Sequence, residues 1–149
     1  MRTIAIVFVL FAILVCGTAV AQSYDYRQGY IFEQTYVKRI TLSKAEQLIG
    51  TPEFFTPYRE NKWGKEKISS NQVKRSGAKL TIKFLGKAPL KLRDFNIKTT
   101  RERDGDFQRF QYLGNAAKFH LIGVEFGHDQ PTFLLVDQAG QEIYFVDMD

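Results

Sequence analysis

Apolar and polar residues alternate from Lys79 to Phe84, with Leu80, Ile82 and Phe84 set between Lys79, Thr81 and Lys83. A period of two is the signature of a strand that buries one face. After a turn expected at Gly86-Lys87-Ala88-Pro89, Leu90 and Leu92 repeat the pattern against Lys91 and Arg93. Four more strands are predicted in FQRFQYLG, KFHLIGVEFG, TFLLVDQAG and QEIYFVD, with turns at Gly114-Asn115, His128 to Pro131 and Gln138 to Gly140. The last three strands are apolar on both faces, as central strands covered from both sides should be.

The pattern changes upstream. QTYVKRITL reads as a strand because β-branched and aromatic residues dominate it. Ser43 and Glu46 are spaced as a capping box, Leu48-Ile49 supply an apolar stripe, and Gly50 can close the helix. Thr51-Pro52 could cap a second helical turn, with Phe54 and Phe55 packing inward. The expected fold is therefore mainly β: an antiparallel meander closing as a small sandwich or barrel, with one or two short N-terminal helices.

The first residues follow another logic. Arg2 precedes an apolar run from Ile4 to Cys16, and Ala19-Val20-Ala21 offers a small-x-small cleavage pattern before Gln22. This reads as a signal peptide over residues 1–21, followed by one domain over 22–149 in the periplasm or outside the cell. The apolar run is shorter than the roughly 20 residues a membrane span requires, so no stable membrane anchor is expected after cleavage. The only cysteine, Cys16, leaves with the leader. An exported domain without cysteine has no disulfides, so packing and hydrogen bonding must stabilise it.

Charge is unevenly placed. Residues 22–58 balance four basic against four acidic side chains. Residues 59–103 hold fourteen Lys and Arg against Glu60, Glu66, Asp94 and Glu102, whereas 104–149 hold Arg109 and Lys118 against eight carboxylates. Two arrangements would account for this. Basic and acidic strands could lie side by side in one sheet and neutralise each other, or they could form separate faces, one of which steers an anionic partner. For an exported protein that partner is an envelope polymer or an acidic protein surface rather than nucleic acid.

Candidate chemistry is sparse. His120 lies on the face of its strand shared with Ile122 and Val124, which suits a core position, and His128 stands in a turn. No nucleophile elbow, zinc motif or phosphate loop occurs. Glu125 and Asp137, on neighbouring predicted strands, are the one carboxylate pair suggestive of glycan hydrolysis. Asp104-Gly105-Asp106 resembles part of a calcium loop, but Phe107, Gln108 and Arg109 follow where further acids would be needed. Accordingly no catalytic residue, metal site or cofactor is expected. The better candidates are interface anchors: Tyr58 and Trp63 in YRENKWGK, with Arg101 and Arg103 on a charged loop.

The run from Ala78 to Val146, through A-K-L-T-I-K-F-L-G-K, L-K-L-R-D-F, F-Q-Y-L-G, F-H-L-I-G-V-E-F and F-L-L-V-D-Q-A-G-Q-E, resembles exported β-rich bacterial proteins. Some of these look like periplasmic inhibitors or immunity proteins against lysozyme-like and other cell-wall hydrolases. The resemblance implies a binding protein whose partner is a secreted hydrolase or toxin. Residues 22–77 have no counterpart in it, and it transfers no functional residue. The alternative is an envelope structural or ligand-binding protein that holds an anionic polymer on its basic middle third. A small glycan-active hydrolase is the third reading.

Overall fold

The structure is a computed structural model and describes residues 31, 34–51, 55, 66–68, 71–95, 108–126 and 132–148. The expected leader, the expected anchors Tyr58, Trp63, Arg101 and Arg103, and the turn and loop expected at His128 and at Asp104–Asp106 all lie outside the described residues.

Among the described residues, eight strands and one helix follow in the order β1 (Val37–Thr41), α1 (Leu42–Ile49), β2 (Val73–Ser76), β3 (Lys79–Phe84), β4 (Lys87–Arg93), β5 (Gln108–Ala116), β6 (Phe119–Phe126), β7 (Thr132–Asp137) and β8 (Ile143–Asp147). The chain is mainly β, as the alternation predicted. Strands β2-β3-β4 make a three-stranded sheet, and β1-β8-β7-β6-β5 make a five-stranded one. The two sheets form a small sandwich and do not close into a barrel. Strands β5 to β8 are the expected antiparallel meander. β1 departs from that expectation, for it pairs in parallel with β8, Val37 opposite Ile143 and Thr41 opposite Asp147. The strand farthest away in sequence thus covers the β8 edge of the meander.

Both faces of the five-stranded sheet are buried, which explains why β6 to β8 read as apolar throughout. On one face Phe110, Tyr112, Ile122, Val124, Leu134, Val136 and Phe145 meet Leu80, Ile82, Phe84, Leu90 and Leu92 of the small sheet. On the other, Ala45 and Ile49 of α1 join Phe55 over Phe119, Leu121, Phe133, Leu135 and Val146. The Phe55 and Phe133 ring centroids lie 4.7 Å apart.

Local chemistry corrects three expected boundaries. The helix is capped by Thr41 and not by Ser43: Thr41 keeps extended backbone, and its hydroxyl accepts the Lys44 N–H at 3.2 Å, which leaves Ser43 inside the first turn. Gly50 ends the helix in the left-handed region at φ 69°, as predicted. The β3–β4 turn comprises Leu85 and Gly86 alone, so Lys87-Ala88-Pro89 already belong to β4. Register shifts there, since Ile82 faces Leu90 while Phe84 faces Lys87, and the extra residue makes a bulge. A bulge tolerates Pro89 because it leaves an N–H out of the ladder. Finally, Gly114 is no turn residue. It accommodates a second bulge in β5 at φ 115°, and the chain reverses at Ala117-Lys118.

Candidate functional site

The three strands of the small sheet turn alternate residues inward and outward. Val73, Leu80, Ile82, Leu90 and Leu92 face the core, which sends Lys74, Lys79, Lys83, Lys91 and Arg93 to solvent. Register then arranges those cations. Lys74 and Lys91 stand directly across from Thr81 on its two sides, while Lys79 and Lys83 lie two residues before and after it. The half-buried Thr81 is therefore ringed by lysines at all four nearest positions of its face. In the next row Lys79 lies between Ser76 and Arg93.

Like charges directly opposite each other destabilise a sheet. The neutralising arrangement, basic strand beside acidic strand, is thus not what the small sheet adopts. Its neighbours are basic against basic. The described carboxylates of the same sequence third are used on the inner side: Arg75 forms a fork with Glu66 at 2.9 and 3.1 Å and reaches Asp94 at 3.1 Å. The described acids of the last third are paired within their own sheet instead. Glu142 pairs with Lys38 at 2.7 Å, Asp147 with Arg39 at 2.6 Å, Glu125 with Arg109, and Asp137 with Lys118 at 3.6 Å. Among the described residues, no carboxylate is within ion-pair distance of Lys74, Lys79, Lys83 or Lys91. Edge protection explains such lysines only in part, because β3 is the central strand of its sheet.

Compared with known proteins, the chain matches no family model, no curated protein and no solved structure.

The other candidates fare differently. Glu125 and Asp137 are not brought together: Asp137 stands opposite Phe119, and Glu125 lies six residues farther along β6. At about 3.4 Å per residue that separates them by roughly 20 Å, well beyond the ~5–9.5 Å of paired glycosidase carboxylates. Their partners are structural. Glu125 lies across the ladder from Arg109, and Asp137 accepts the Ala139 N–H at 2.6 Å to shape the β7–β8 turn. A shallow depression of about 340 Å³ on α1 is lined by Ser43, Glu46, Gln47 and Gly50 and brings together no convergent acid–base or cationic groups. Among the described residues, no three His, Cys, Asp or Glu side chains are grouped as metal ligands would be.

His120 is a core residue, as its strand face predicted. It is fully buried between the sheets, and its Nδ1 lies 2.9 Å from the Tyr112 hydroxyl and 3.0 Å from Asn115 Oδ1. The Gly114 bulge lets Tyr112 and Asn115 reach the same ring, since Tyr112 donates to Asn115 Oδ1 at 2.6 Å. Nε2 is buried without a partner. Burial lowers the His120 pKa below the ordinary 6.5, with the nearby Asp137 carboxylate opposing, and burial pushes Tyr112 up to about 12. A histidine kept neutral in the fold costs stability as pH drops through and below its unfolded value. Unfolding free energy should thus fall between pH 7.5 and 5, and His120→Gln should flatten that slope in urea titrations. An unchanged slope in the variant would place the pH dependence elsewhere.

Proposed function

We propose that this chain is an exported binding protein that holds an anionic partner, an acidic polymer or surface of the cell envelope, on the outer face of the β2-β3-β4 sheet. One observation carries the reading. Four lysines surround Thr81 on one sheet face with no described carboxylate beside them, while the described acids of the last third are all paired. At neighbouring sheet positions roughly 5–10 Å apart, the charges repel by up to about 1 kcal/mol per pair even in water. An anion at the centre relieves that repulsion and gains four attractions at once. Thr81 adds a donor that a phosphate, sulfate or carboxylate oxygen can accept. The rigid sheet fixes the array beforehand, so binding orders little besides the lysine side chains. Export is supported by the leader pattern of residues 1–21.

The reading is tested by pelleting the purified domain with isolated envelope polymer across a salt series. Binding should weaken steeply with salt, because exposed charges are screened beyond ~8–10 Å at physiological ionic strength. Reversing Lys74, Lys79, Lys83 and Lys91 to Glu should lower affinity roughly a thousandfold or more, at about 1 kcal/mol per lysine. Reversing the exposed Lys44 and Lys67, which lie off this face, should cost far less. Equal losses from the two sets would refute a localised site. Stoichiometric copurification with a secreted hydrolase, with no polymer bound, would favour the inhibitor reading implied by the resemblance.

A further inference from the structure

The β3–β4 turn gives the basic face a more specific partner. Leu85 is 97% exposed, whereas Ile68 at 38% is the only other large exposed hydrophobic among the described residues. Two-residue hairpin tips ordinarily carry Gly, Asn, Asp or Ser, which suit the turn and water alike. Here Gly86 alone meets the conformational demand, with φ at 68°, and leucine occupies the outermost position. The tip is also firmly held. Phe84, next to Leu85, is buried in the core, and its ring lies against the backbone of Gly140 in the β7–β8 turn. Leu85 is therefore presented to solvent by an anchored hairpin.

We propose that the face docks on a bilayer surface rich in anionic lipid headgroups, tip first, with Leu85 inserted at the boundary of the acyl chains. This rests on the reading of the β2-β3-β4 face as an anion-binding surface. Strand geometry sets the depths. At about 3.4 Å per residue, Lys83 lies roughly 7 Å behind Leu85, the Thr81 row with Lys74 and Lys91 about 14 Å, and the Lys79 row about 20 Å. The headgroup layer is about 5–8 Å thick on each side of a bilayer. When Leu85 reaches the acyl boundary, Lys83 comes level with the lipid phosphates. A tilt toward the basic face brings Lys74 and Lys91 within a Debye length of the same surface. A hydrated polymer satisfies the lysines but offers Leu85 nothing apolar to enter. A lipid surface accommodates both, as peripheral binding combines buried apolar area with attraction to anionic headgroups. Binding of this kind is reversible and needs no membrane-spanning segment.

The test uses the chain over residues 22–149 with three probes: phosphatidylcholine vesicles, vesicles containing about a third phosphatidylglycerol, and soluble polyphosphate. The expected result is binding to the anionic vesicles at least tenfold tighter than to the neutral ones. Leu85→Ser should weaken vesicle binding about tenfold or more and leave polyphosphate binding unchanged. The domain has no cysteine after residue 21, so Leu85→Cys and Ala78→Cys, the latter exposed at the opposite end of β3, can each carry one environment-sensitive dye. The dye at 85 should shift to the blue with anionic vesicles, and the dye at 78 should not. If the protein binds polyphosphate but not vesicles, or Leu85→Ser binds vesicles as tightly as the parent, the lipid assignment is overturned while the anion-binding face stands. Binding to none of the three probes overturns both.

Discussion

Arg75→Ala is expected to destabilise the domain by about 3 kcal/mol, the largest loss from any single surface-accessible side chain described. Arg75 lies on the inner side of β2, where its guanidinium forks onto Glu66, reaches Asp94 and donates to the Phe110 carbonyl. Those two carboxylates stand in for a missing strand neighbour of β5. Asp94 accepts the Phe110 N–H at 2.8 Å, Glu66 accepts the Tyr112 N–H at 2.9 Å, and the Lys67 N–H reaches the Tyr112 carbonyl at 3.0 Å. The edge of β5 is thus satisfied by side chains that Arg75 neutralises. Removing one member of a buried ion pair costs roughly 3–5 kcal/mol, and partial exposure of Arg75 and Glu66 puts this site at the lower end.

The same site predicts a pH signature. Burial raises the Asp94 pKa above 3.8, while the Phe110 N–H and Arg75 hold it down. A carboxyl whose folded pKa lies above its unfolded value costs stability when ionised, and that cost fades as pH falls toward the unfolded value. Loss of Arg75 raises Asp94 further, so the stability gap between Arg75→Ala and the parent should narrow from pH 7 toward pH 4. Urea titrations at several pH values measure this. A constant gap would assign the loss to the fork's packing rather than to its charge. Arg75→Lys should fall between the two proteins, because one ammonium cannot serve both carboxylates and the carbonyl in the fork's geometry.

Gly140→Ala is the second large effect, at about 3 kcal/mol or a Tm lower by roughly 10 °C. Gly140 has φ at 67°, where an L side chain is strained, and an added Cβ would stand 2.6 Å from Phe84 Cγ and within 2.9 Å of two more ring carbons. Phe84 has little room to retreat. It is buried, and the His120 ring lies 6.4 Å away between centroids. Either the β7–β8 turn or the tip of the small sheet must move, and overpacking of this kind costs roughly 1–3 kcal/mol beyond the backbone strain. Combining Gly140→Ala with Phe84→Leu should recover part of the loss in a double-mutant cycle. Strict additivity would show that the ring is not what the new methyl meets.

The strands β3 and β4 are legible because side-chain period and buried face coincide: Leu80, Ile82, Leu90 and Leu92 alternate with Lys79, Thr81, Lys83, Lys91 and Arg93. β6 and β7 are legible as continuous apolar runs, and the whole of β7 is buried. Turns were less legible. Gly86, Gly114 and Gly140 all mark positive φ, yet one is in a two-residue turn, one in a bulge and one beside a packed ring. A glycine signals the conformation and not its purpose. The capping box at Ser43 failed for a related reason, since the chain leaves β1 at Thr41 and supplies an equivalent hydroxyl two residues earlier.

The cationic face was visible only as a count. A surplus of lysine in residues 59–103 is a property of the sequence, but whether those lysines meet acids or one another depends on which strands become neighbours. The interface anchors expected at Tyr58, Trp63, Arg101 and Arg103 lie outside the described residues. Nor did any local pattern single out Arg75, whose partners come from residues 66, 94 and 110.

By itself, then, the sequence determined the β class, the two-sided burial of β6 to β8, the helix ending at Gly50 and the uneven charge. All of these follow from residue type and spacing within a few positions. Only the tertiary structure decided that β1 would close the meander in parallel, that Glu125 and Asp137 would stand about 20 Å apart, and that the lysines would ring Thr81 without described acids beside them. Those outcomes depend on strand order and register, which are settled by which apolar faces pack together across the whole domain. Local alternation tells a strand which side to bury but not which strand lies next to it.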